Sequence, residues 1–389
     1  MRWPPDRRSL GVGVAGFASF INLYATQAIL PEIARAFDVG VLRAGLTITA
    51  PLLAVACVAP FAGGISDRLG RKNLIVGACL LVVLPTLLVA ASPGLHAMVL
   101  WRFVQGLLVP FMFTVCVAYI GDECPGTAAI RAAGSYSIGS ILGGFSGRML
   151  AGVFSEYVGW RMGFVALAAC SLAAAAFVAL VLPRERRFVP LRGGLHTAFG
   201  SYVEHLRTPR LIATCAIGFG MLFTNVAGFT YINFYLAAPP FLLGPGQLGL
   251  VFGVYLLGVV TTTVATRLAV RIGRRWTLAL AVGLAAGGLL LTLLPRLWLV
   301  IGGLACMSGG LFVVQALSLG FIASTTRRAK SSAVGLYVTV YYIGGALGGL
   351  VPGSVWGHAG WAGVVALLVT VLGGMGALGM RFWREPAAC

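Results

Sequence analysis

Long apolar segments alternate with short charged gaps along the whole chain, and this alternation constrains the fold more than any other feature. A helix of about 20 apolar residues crosses the ~30 Å hydrocarbon core of a bilayer. Twelve segments of about this length are present, at about 10–31, 43–66, 73–92, 96–120, 130–154, 161–182, 211–236, 246–269, 276–294, 297–322, 331–355 and 361–382. We therefore predict an all-α membrane protein with twelve transmembrane helices.

The composition agrees with a lipid environment. Of the 389 residues, 59% are hydrophobic and only 10% are charged, whereas a soluble domain carries about 25% charged residues. The net charge of +18 raises the question of nucleic-acid binding, but basic nucleic-acid-binding surfaces are polar and exposed. Here the arginines fall in the gaps between apolar segments. We therefore expect the lipid bilayer as a partner and no nucleic acid.

The positions of lysine and arginine predict the orientation in the membrane, because cytoplasmic loops are enriched in them. With the N-terminus inside, the cytoplasmic gaps hold 22 of the 28 lysines and arginines, and the outer gaps hold four. Both termini are therefore expected in the cytoplasm, in a multi-pass protein of the inner (cytoplasmic) membrane. The basic start runs directly into a full-length apolar segment, which indicates a retained first helix rather than a cleaved signal peptide.

A polar stretch divides the chain into two halves of six segments each. We predict a first six-helix bundle at 1–182, a cytoplasmic linker at 183–210 and a second six-helix bundle at 211–389. Parallel repeats of this kind, related by an axis along the membrane normal, place a substrate site at their interface near the midplane.

Two short patterns recur in the second half. The loop sequence Asp67–Lys72 (DRLGRK) returns as Val270–Arg275 (VRIGRR), and the glycine pattern of Ile138–Gly144 returns at Ile343–Gly349. Both recur at nearly the same offset, which indicates an internal repeat rather than a chance match. The charged chemistry is not shared, since Val270 stands where the first copy has Asp67.

Three stretches resemble the major facilitator superfamily. Gly63–Lys72 (GGISDRLGRK) resembles the signature of its loop between spans 2 and 3, and Trp101–Gly106 (WRFVQG) resembles its span 4 motif. Asn22–Glu32 (NLYATQAILPE) is similar to the twelve-span drug:proton antiporter branch and related efflux permeases. That branch has a Gly-Pro pair in span 5, whereas here Gly143 is followed by Gly144. The resemblance covers the whole chain and implies two pseudo-symmetric six-helix bundles that transport by alternating access.

The resemblance also implies roles for two groups of residues. A gating or conformational latch is implied at Gly63, Asp67, Arg68, Gly70, Arg71 and Asp122, in which Arg71 pairs with an acid at the end of span 4. Asp122 fits that position, with Glu123 as the alternative; a plain topology anchor remains the other interpretation. Proton coupling is implied at Arg102, Gln105 and Gly106. Alternatively, Arg102 is satisfied by backbone carbonyls and Gln105.

Arg148 is a second arginine within an apolar segment. Charged residues at membrane depth are costly and mark functional sites, so Arg148 is a candidate for binding an anionic group; a helix-packing or snorkelling arginine is the alternative. None of the ten acidic residues lies at mid-membrane. Exporters of cations keep a carboxylate there to bind cargo and exchange protons, so neutral or anionic cargo is favoured. Glu32, at the outer end of span 1, is the nearest acid.

Polar and aromatic side chains in the spans that line the cavity of this fold complete the predicted substrate site. A ligand pocket combines apolar walls with a few placed polar groups. The predicted substrate-binding residues are Asn22, Tyr24, Gln27, Arg148, Asn225, Asn233, Gln315, Tyr337 and Tyr341.

The predicted function is secondary active transport of a small molecule. We expect proton-coupled export of an amphipathic or anionic metabolite or drug, or alternatively import or exchange of a small organic or inorganic anion with Arg148 and Arg102 as counter-charges. The four histidines lie in loops or at span ends, and no nucleophile–base pair or metal cluster sits at membrane depth, so an enzyme is not expected. We expect no metal and no cofactor, protons as the coupling ion, and a monomer.

Overall fold

The computed structural model describes residues 6–185, 208–325 and 330–383. Most of the predicted linker at 183–210 therefore lies outside the described residues, as do the basic residues at 1–5, 327–328 and 384. The described chain is helical throughout, with no β-strand. Nine of its helical stretches are long and apolar enough to cross a membrane.

Residues 6–185 contain eight α-helices. Their bounds are α1 Arg7–Ile21, α2 Leu30–Ala36, α3 Val41–Leu69, α4 Arg71–Leu81, α5 Val83–Ala90, α6 Leu95–Glu123, α7 Thr127–Val158 and α8 Trp160–Val181. The first predicted span is not one continuous α-helix. After α1 the chain turns and continues as a 3₁₀ segment, Ala25–Ile29, before α2 begins. Short 3₁₀ stretches inside a longer helix often mark functional positions.

The described residues from 208 onward contain six helical stretches. Their bounds are α9 Pro209–Ala237, α10 Pro245–Val251, α11 Gly258–Ile272, α12 Arg274–Leu291, α13 Leu297–Thr325 and α14 Lys330–Phe382. A second 3₁₀ segment, Phe252–Leu257, joins α10 to α11. The last helix is two helices joined at Gly360, whose backbone is not helical (φ 55°, ψ −148°).

Two compact units make up the chain. Unit 1 is Met1–Gly193 together with Leu243–Phe252, and unit 2 is Gly194–Leu242 together with Gly253–Cys389. Unit 1 therefore includes α10 and the first residue of the second 3₁₀ segment. In unit 1, α7 packs along α1 and also contacts α10, and α3 packs along α6; in unit 2, α9 packs along α14 and α12 along α13.

Glycines set the closest helix contacts in both units. A Cβ on Gly139 or Gly143 of α7 would overlap the carbonyl oxygen of Gly13 or Phe17 on α1. In unit 2, Gly344 and Gly348 of α14 meet the carbonyls of Phe219 and Phe223 on α9 in the same way. Small residues four apart allow helix backbones to approach this closely in membranes. The repeated glycine pattern therefore marks the same helix pair in each unit.

Gly143→Ala is expected to destabilise the protein by about 1–3 kcal/mol, because the added methyl group collides with the backbone of Phe17. Gly134→Ala in the same helix is the matched control, because nothing lies within 4 Å of the Cβ it would add. The measurement is the free energy of unfolding in detergent. Equal effects of the two changes would contradict the close α1–α7 contact.

Candidate functional site

Two arginines are buried in the middle of helices of unit 1. Arg102 of α6 is 0% exposed and Arg148 of α7 is 3% exposed. A buried charge is costly unless hydrogen bonds surround it. The groups around each guanidinium therefore indicate what that arginine does.

Arg102 joins the break in the first span to two neighbouring helices. Its Nε donates to the Thr47 carbonyl (3.0 Å), and its remaining bonds go to the Asn22 carbonyl (2.7 Å), the Leu23 carbonyl and Gln105 Oε1 (2.7 Å). Asn22 and Leu23 lie where α1 has ended and the 3₁₀ segment has not begun. Breaks in membrane helices are tolerated where neighbouring groups satisfy the freed backbone atoms, and Arg102 does this here with four bonds to neutral acceptors.

Gln105 and Gly106 support this arrangement. The Gln105 amide nitrogen donates to Thr86 Oγ1 (2.8 Å), which fixes the amide so that its oxygen faces Arg102. A Cβ on Gly106 would overlap the carbonyl oxygen of Pro51, so Gly106 allows α6 to approach α3. The three residues predicted for proton coupling therefore form one packed, hydrogen-bonded group.

Arg148 lies in a different environment, which we call the Arg148 cage: Arg148, Gln27, Gly144, Tyr24 and Phe252. Its Nε donates to Gln27 Oε1 (2.8 Å) and one terminal nitrogen donates to the Gly144 carbonyl (2.7 Å). The guanidinium carbon lies 4.6 Å from the centre of the Tyr24 ring and 4.7 Å from that of Phe252. Contacts of this kind between a cation and aromatic faces are favourable.

Residues at both 3₁₀ segments contribute to the cage. Gln27 belongs to the first 3₁₀ segment, Tyr24 immediately precedes it, and Phe252 begins the second. Sequence analysis named Arg148, Gln27 and Tyr24, and the structure brings these three together. It missed Phe252, which stands in an apolar run with nothing in the sequence to distinguish it.

Asn22, also predicted to bind substrate, lies beside Arg102 rather than in the Arg148 cage. Its amide nitrogen donates to Ser171 Oγ on α8 (2.8 Å), while its carbonyl oxygen Oδ1 is buried with no hydrogen-bond partner among the described residues. Buried polar atoms of this kind are commonly satisfied by an ordered water.

The remaining predicted substrate-binding residues lie in unit 2, where Gln315, Tyr337 and Tyr341 are in contact with one another and Asn225 and Asn233 have other partners. Asn225 Oδ1 accepts a bond from the Tyr255 hydroxyl (2.6 Å), and the Gln315 amide donates to the Tyr341 hydroxyl (3.1 Å). The Tyr337 and Tyr341 rings stack with their centres 5.8 Å apart. Asn233 is buried, and its amide nitrogen donates to the Phe229 carbonyl one turn earlier in α9.

The predicted latch residues lie near the turn between α3 and α4, except Asp122, which lies at the end of α6. Arg71 Nη2 is 3.0 Å from Asp122 Oδ2, and its Nε donates to the same oxygen (3.1 Å). Arg71 also donates to Ser66 Oγ. Gly63 is half-buried and its carbonyl accepts a bond from Ser66, and Arg68 is exposed. The side chain of Asp67 lies outside what the structure describes.

Glu185 is an important residue of this turn that sequence analysis missed. Its carboxylate accepts bonds from the backbone N–H groups of Arg71 (2.9 Å) and Lys72 (3.3 Å), the first two residues of α4. A carboxylate at a helix N-terminus is favoured both by these unsatisfied N–H groups and by the helix dipole. Glu185 therefore caps α4 from 114 residues away.

Neighbouring contacts hold the segment before Glu185 in place. The Tyr119 hydroxyl donates to the Pro183 carbonyl (3.0 Å), and Leu182 lies against Gly11 of α1.

The end of α6 is also held by an ion pair, in which Arg8 lies 3.6 Å from Glu123. Burial raises the pKa of the neighbouring Cys124 thiol above its usual value. A thiol with a raised pKa stays protonated and unreactive, so Cys124 acts as a small packing residue.

Gly70→Ala is expected to destabilise unit 1 more than Gly273→Ala destabilises unit 2. Both glycines begin a helix with positive φ, 87° and 83°, so each alanine meets similar backbone strain of about 1–3 kcal/mol. Only at Gly70 would the new Cβ also meet a carboxylate, 2.5 Å from Glu185 Oε1, whereas nothing described lies within 4 Å at Gly273. Unfolding midpoints of the two variants in detergent test this, and equal losses would contradict the cap.

The described residues contain no group of three or more His, Cys, Asp or Glu side chains placed to hold a metal. Unit 1 instead contains two charged features. One is the positive charge of Arg148 between aromatic rings, and the other is the α3–α4 turn, which Asp122 and Glu185 hold in place. These features suit binding and conformational change rather than bond-breaking chemistry.

Comparisons with known proteins agree with this geometry. Residues 12–241 match the sequence profile of the Major Facilitator Superfamily. The inner membrane transport protein YnfM of Escherichia coli is 30% identical over 366 residues, 94% of this chain and 88% of that protein. The uncharacterized MFS-type transporter YybF of Bacillus subtilis is 29% identical over 358 residues, 92% of this chain and 89% of that protein.

Solved structures give the same fold. A variant of the nucleoside transporter NupG superposes with a TM-score of 0.80 at 14% identity, covering 97% of this chain and all of that one. The human organic anion transporter MFSD10 (TETRAN) gives a TM-score of 0.69 at 19% identity, with 97% and 100% coverage. At these identities the likeness shows the fold alone. From the profile match and the relatives together, this chain is a multi-pass membrane transporter of small molecules that belongs to the Major Facilitator Superfamily.

Proposed function

We propose that this transporter couples proton movement to the export of an amphipathic or anionic metabolite or drug, by alternating access of twelve transmembrane helices. The Arg148 cage carries the proposal: it holds a buried positive charge among an amide, a carbonyl and two aromatic rings. An apolar wall around one placed charge suits an amphipathic anion. The 22-to-4 distribution of basic residues supports an orientation in the inner membrane with both termini in the cytoplasm.

Import or exchange of a small anion is the second candidate, and the same arginine supports it. From the sequence alone, Arg102 is a further candidate counter-charge for this anion. The four bonds from Arg102 to neutral acceptors support a positioning role for it instead, which leaves Arg148 as the counter-charge in either direction of transport.

The test uses purified protein in liposomes with a pH-sensitive dye inside and an imposed proton gradient. Small neutral, cationic and anionic compounds are added in turn, and a protonophore serves as the control for the gradient. Proton movement that depends on an added anion supports coupled transport of anions. Movement elicited only by cations would contradict the anionic cargo, and cargo transport with no proton movement would contradict the coupling.

A further inference from the structure

We propose that the turn between α11 and α12 binds the phosphate group of an anionic phospholipid at the membrane surface. Its residues, which we call the basic turn, are Arg267 and Arg271 of α11 and Arg274, Arg275 and Trp276 of α12. The basic turn belongs to unit 2, whereas the Arg148 cage belongs to unit 1. The inference therefore stands apart from the proposed cargo, direction and coupling of transport.

The charge of the second half of the chain is one-sided. Four arginines fall within residues 267–275, and residues 205–384 contain no aspartate or glutamate. The corresponding turn of unit 1 differs, because there Arg71 pairs with Asp122 and its backbone N–H donates to Glu185. The second six-helix half therefore has no acid of its own to neutralise the basic turn.

Three arginines of the basic turn are accessible to a ligand. Arg267 and Arg271 are exposed, and Arg275 is half-buried. Arg267 and Arg271 lie four residues apart on α11, so they share one face of the helix, where like charges repel each other. Among the described residues none of the three forms an ion pair. An anion bound between them would remove the repulsion.

The basic turn lies where a membrane helix begins. The stretch Arg274–Leu291 is long and apolar enough to cross a membrane, so its first residues are expected at the level of the lipid headgroups. Trp276 is 50% exposed, and the guanidinium carbon of Arg275 lies 5.4 Å from the centre of its ring. Exposed tryptophans of membrane proteins concentrate at this interface. Charge and apolar surface therefore meet at one place.

The ligand that matches this combination is a lipid rather than a free anion. Basic clusters beside the end of a membrane helix attract anionic headgroups, and guanidinium groups bind phosphate oxygens with paired hydrogen bonds. Val270 and Ile272, between the arginines, are 84% and 40% exposed and offer apolar surface to an acyl chain. A phosphatidylcholine headgroup carries its own cation. The class that fits is therefore a phospholipid with a net negative charge, such as phosphatidylglycerol.

A triple variant tests the inference by binding alone. Arg267→Gln, Arg271→Gln and Arg275→Gln together are expected to weaken phosphatidylglycerol binding at least 10-fold, because the charges that face the phosphate are lost. Lysine at the same three positions keeps the charge and is expected to lose less than glutamine. Arg274 has a further interaction within the protein and is kept in every variant.

The matched control removes the same charge elsewhere. Arg7→Gln, Arg131→Gln and Arg210→Gln together replace three exposed arginines in the first two turns of α1, α7 and α9. This variant is expected to bind phosphatidylglycerol within about twofold of the wild type, since isolated surface charges contribute little.

The measurement is native mass spectrometry of purified protein in detergent, which counts bound lipids over a range of lipid concentrations. Phosphatidylglycerol and phosphatidylcholine with the same acyl chains are compared. The inference predicts that the wild type and the control variant bind phosphatidylglycerol at least 10-fold more tightly than phosphatidylcholine, and that the glutamine variant loses this preference. Equal binding of the two lipids by the wild type, an undiminished preference in the glutamine variant, or an equal loss in the control would overturn it.

Two further samples distinguish other occupants of the basic turn. Equimolar inorganic phosphate is expected to leave the lipid bound, and displacement would show a site for a free anion instead. Glu385 lies outside the described residues, and Glu385→Gln is expected to change lipid binding by less than twofold. A tenfold gain in that variant would show that the end of the chain occupies the place, and would overturn the inference.

Discussion

Replacing Arg148 with glutamine is expected to lower the transport rate of an organic carboxylate about 100-fold while the protein stays folded. Two hydrogen bonds from a guanidinium to a carboxylate, each about 1.5 kcal/mol or more, correspond to roughly two orders of magnitude in affinity. Glutamine keeps polar donors for the Gln27 and Gly144 oxygens that Arg148 now contacts. The loss is therefore expected in transport rather than in stability.

Arg161→Gln is the matched control for this change. Arg161 is an exposed arginine of α8 that covers the Trp160 ring and donates to the Ser92 carbonyl. Its charge lies outside the Arg148 cage, so its loss is expected to leave the transport rate within about twofold of wild type, since single surface charges contribute little. The rates are compared as initial uptake of radiolabelled benzoate into liposomes. Equal rates in Arg148→Gln and wild type would show that Arg148 is a structural arginine.

Replacing Arg102 with leucine is expected to lower stability rather than only the transport rate. The expected loss in the free energy of unfolding is about 3–5 kcal/mol. The change leaves the carbonyls of Asn22, Leu23 and Thr47 without their donor in a buried, lipid-embedded region. Each buried acceptor left unsatisfied costs about 1–3 kcal/mol, although hydrogen bonds in membrane proteins measured by double-mutant cycles average only about 0.6 kcal/mol. Lysine has fewer N–H donors than arginine, and all of them lie on one nitrogen atom. Arg102→Lys is therefore expected to be more stable than Arg102→Leu but less stable than the wild type.

The second half of the chain supplies the control. Met307 of α13 lies against Gly228 of α9, with its sulfur 2.9 Å from the position of a Cβ on that glycine. Met307→Leu conserves volume and removes no hydrogen bond, so a cost below about 1.5 kcal/mol is expected. Unfolding in detergent, followed by tryptophan fluorescence, compares the variants. An Arg102→Leu protein as stable as Met307→Leu would contradict the role of Arg102 at the helix break.

Arg102 and Met307 also show how the two halves of the repeat differ. Arg102 and Met307 are 205 residues apart. The residues they contact, Asn22 just after α1 and Gly228 in α9, are 206 apart. The contacts therefore indicate that Met307 of unit 2 stands where unit 1 has Arg102. The halves share a backbone frame, but unit 1 fills this position with a charge and a broken helix where unit 2 has a thioether and a glycine.

The helices themselves could be predicted because long apolar segments and lipid thickness leave few alternatives. The Arg71–Asp122 contact was anticipated from the family resemblance alone. The cap by Glu185 was not, because the residue lies 114 positions from its partner in a basic stretch that looks like an ordinary loop. Contacts between distant segments carry no periodic signal in a single sequence.

The break in the first span escaped prediction for a different reason. The residues from Asn22 to Gln27 contain no glycine or proline, the usual signals of a helix break. The turn is instead stabilised from outside, by Arg102 of α6 bonding to the Asn22 and Leu23 carbonyls. Tertiary contacts here override local sequence preference, and they bring Tyr24 and Gln27 to Arg148.

The most direct test of the account compares transport of benzoate with transport of benzamide, two molecules of nearly the same shape that differ in charge. The initial rates are measured in liposomes for the wild type and for Arg148→Gln. The account predicts that wild type moves benzoate at least 10-fold faster than benzamide, as expected for one charge-assisted contact, and that Arg148→Gln abolishes the difference. Equal rates for the two compounds in the wild type, or an undiminished preference in Arg148→Gln, would contradict recognition of an anionic cargo by Arg148.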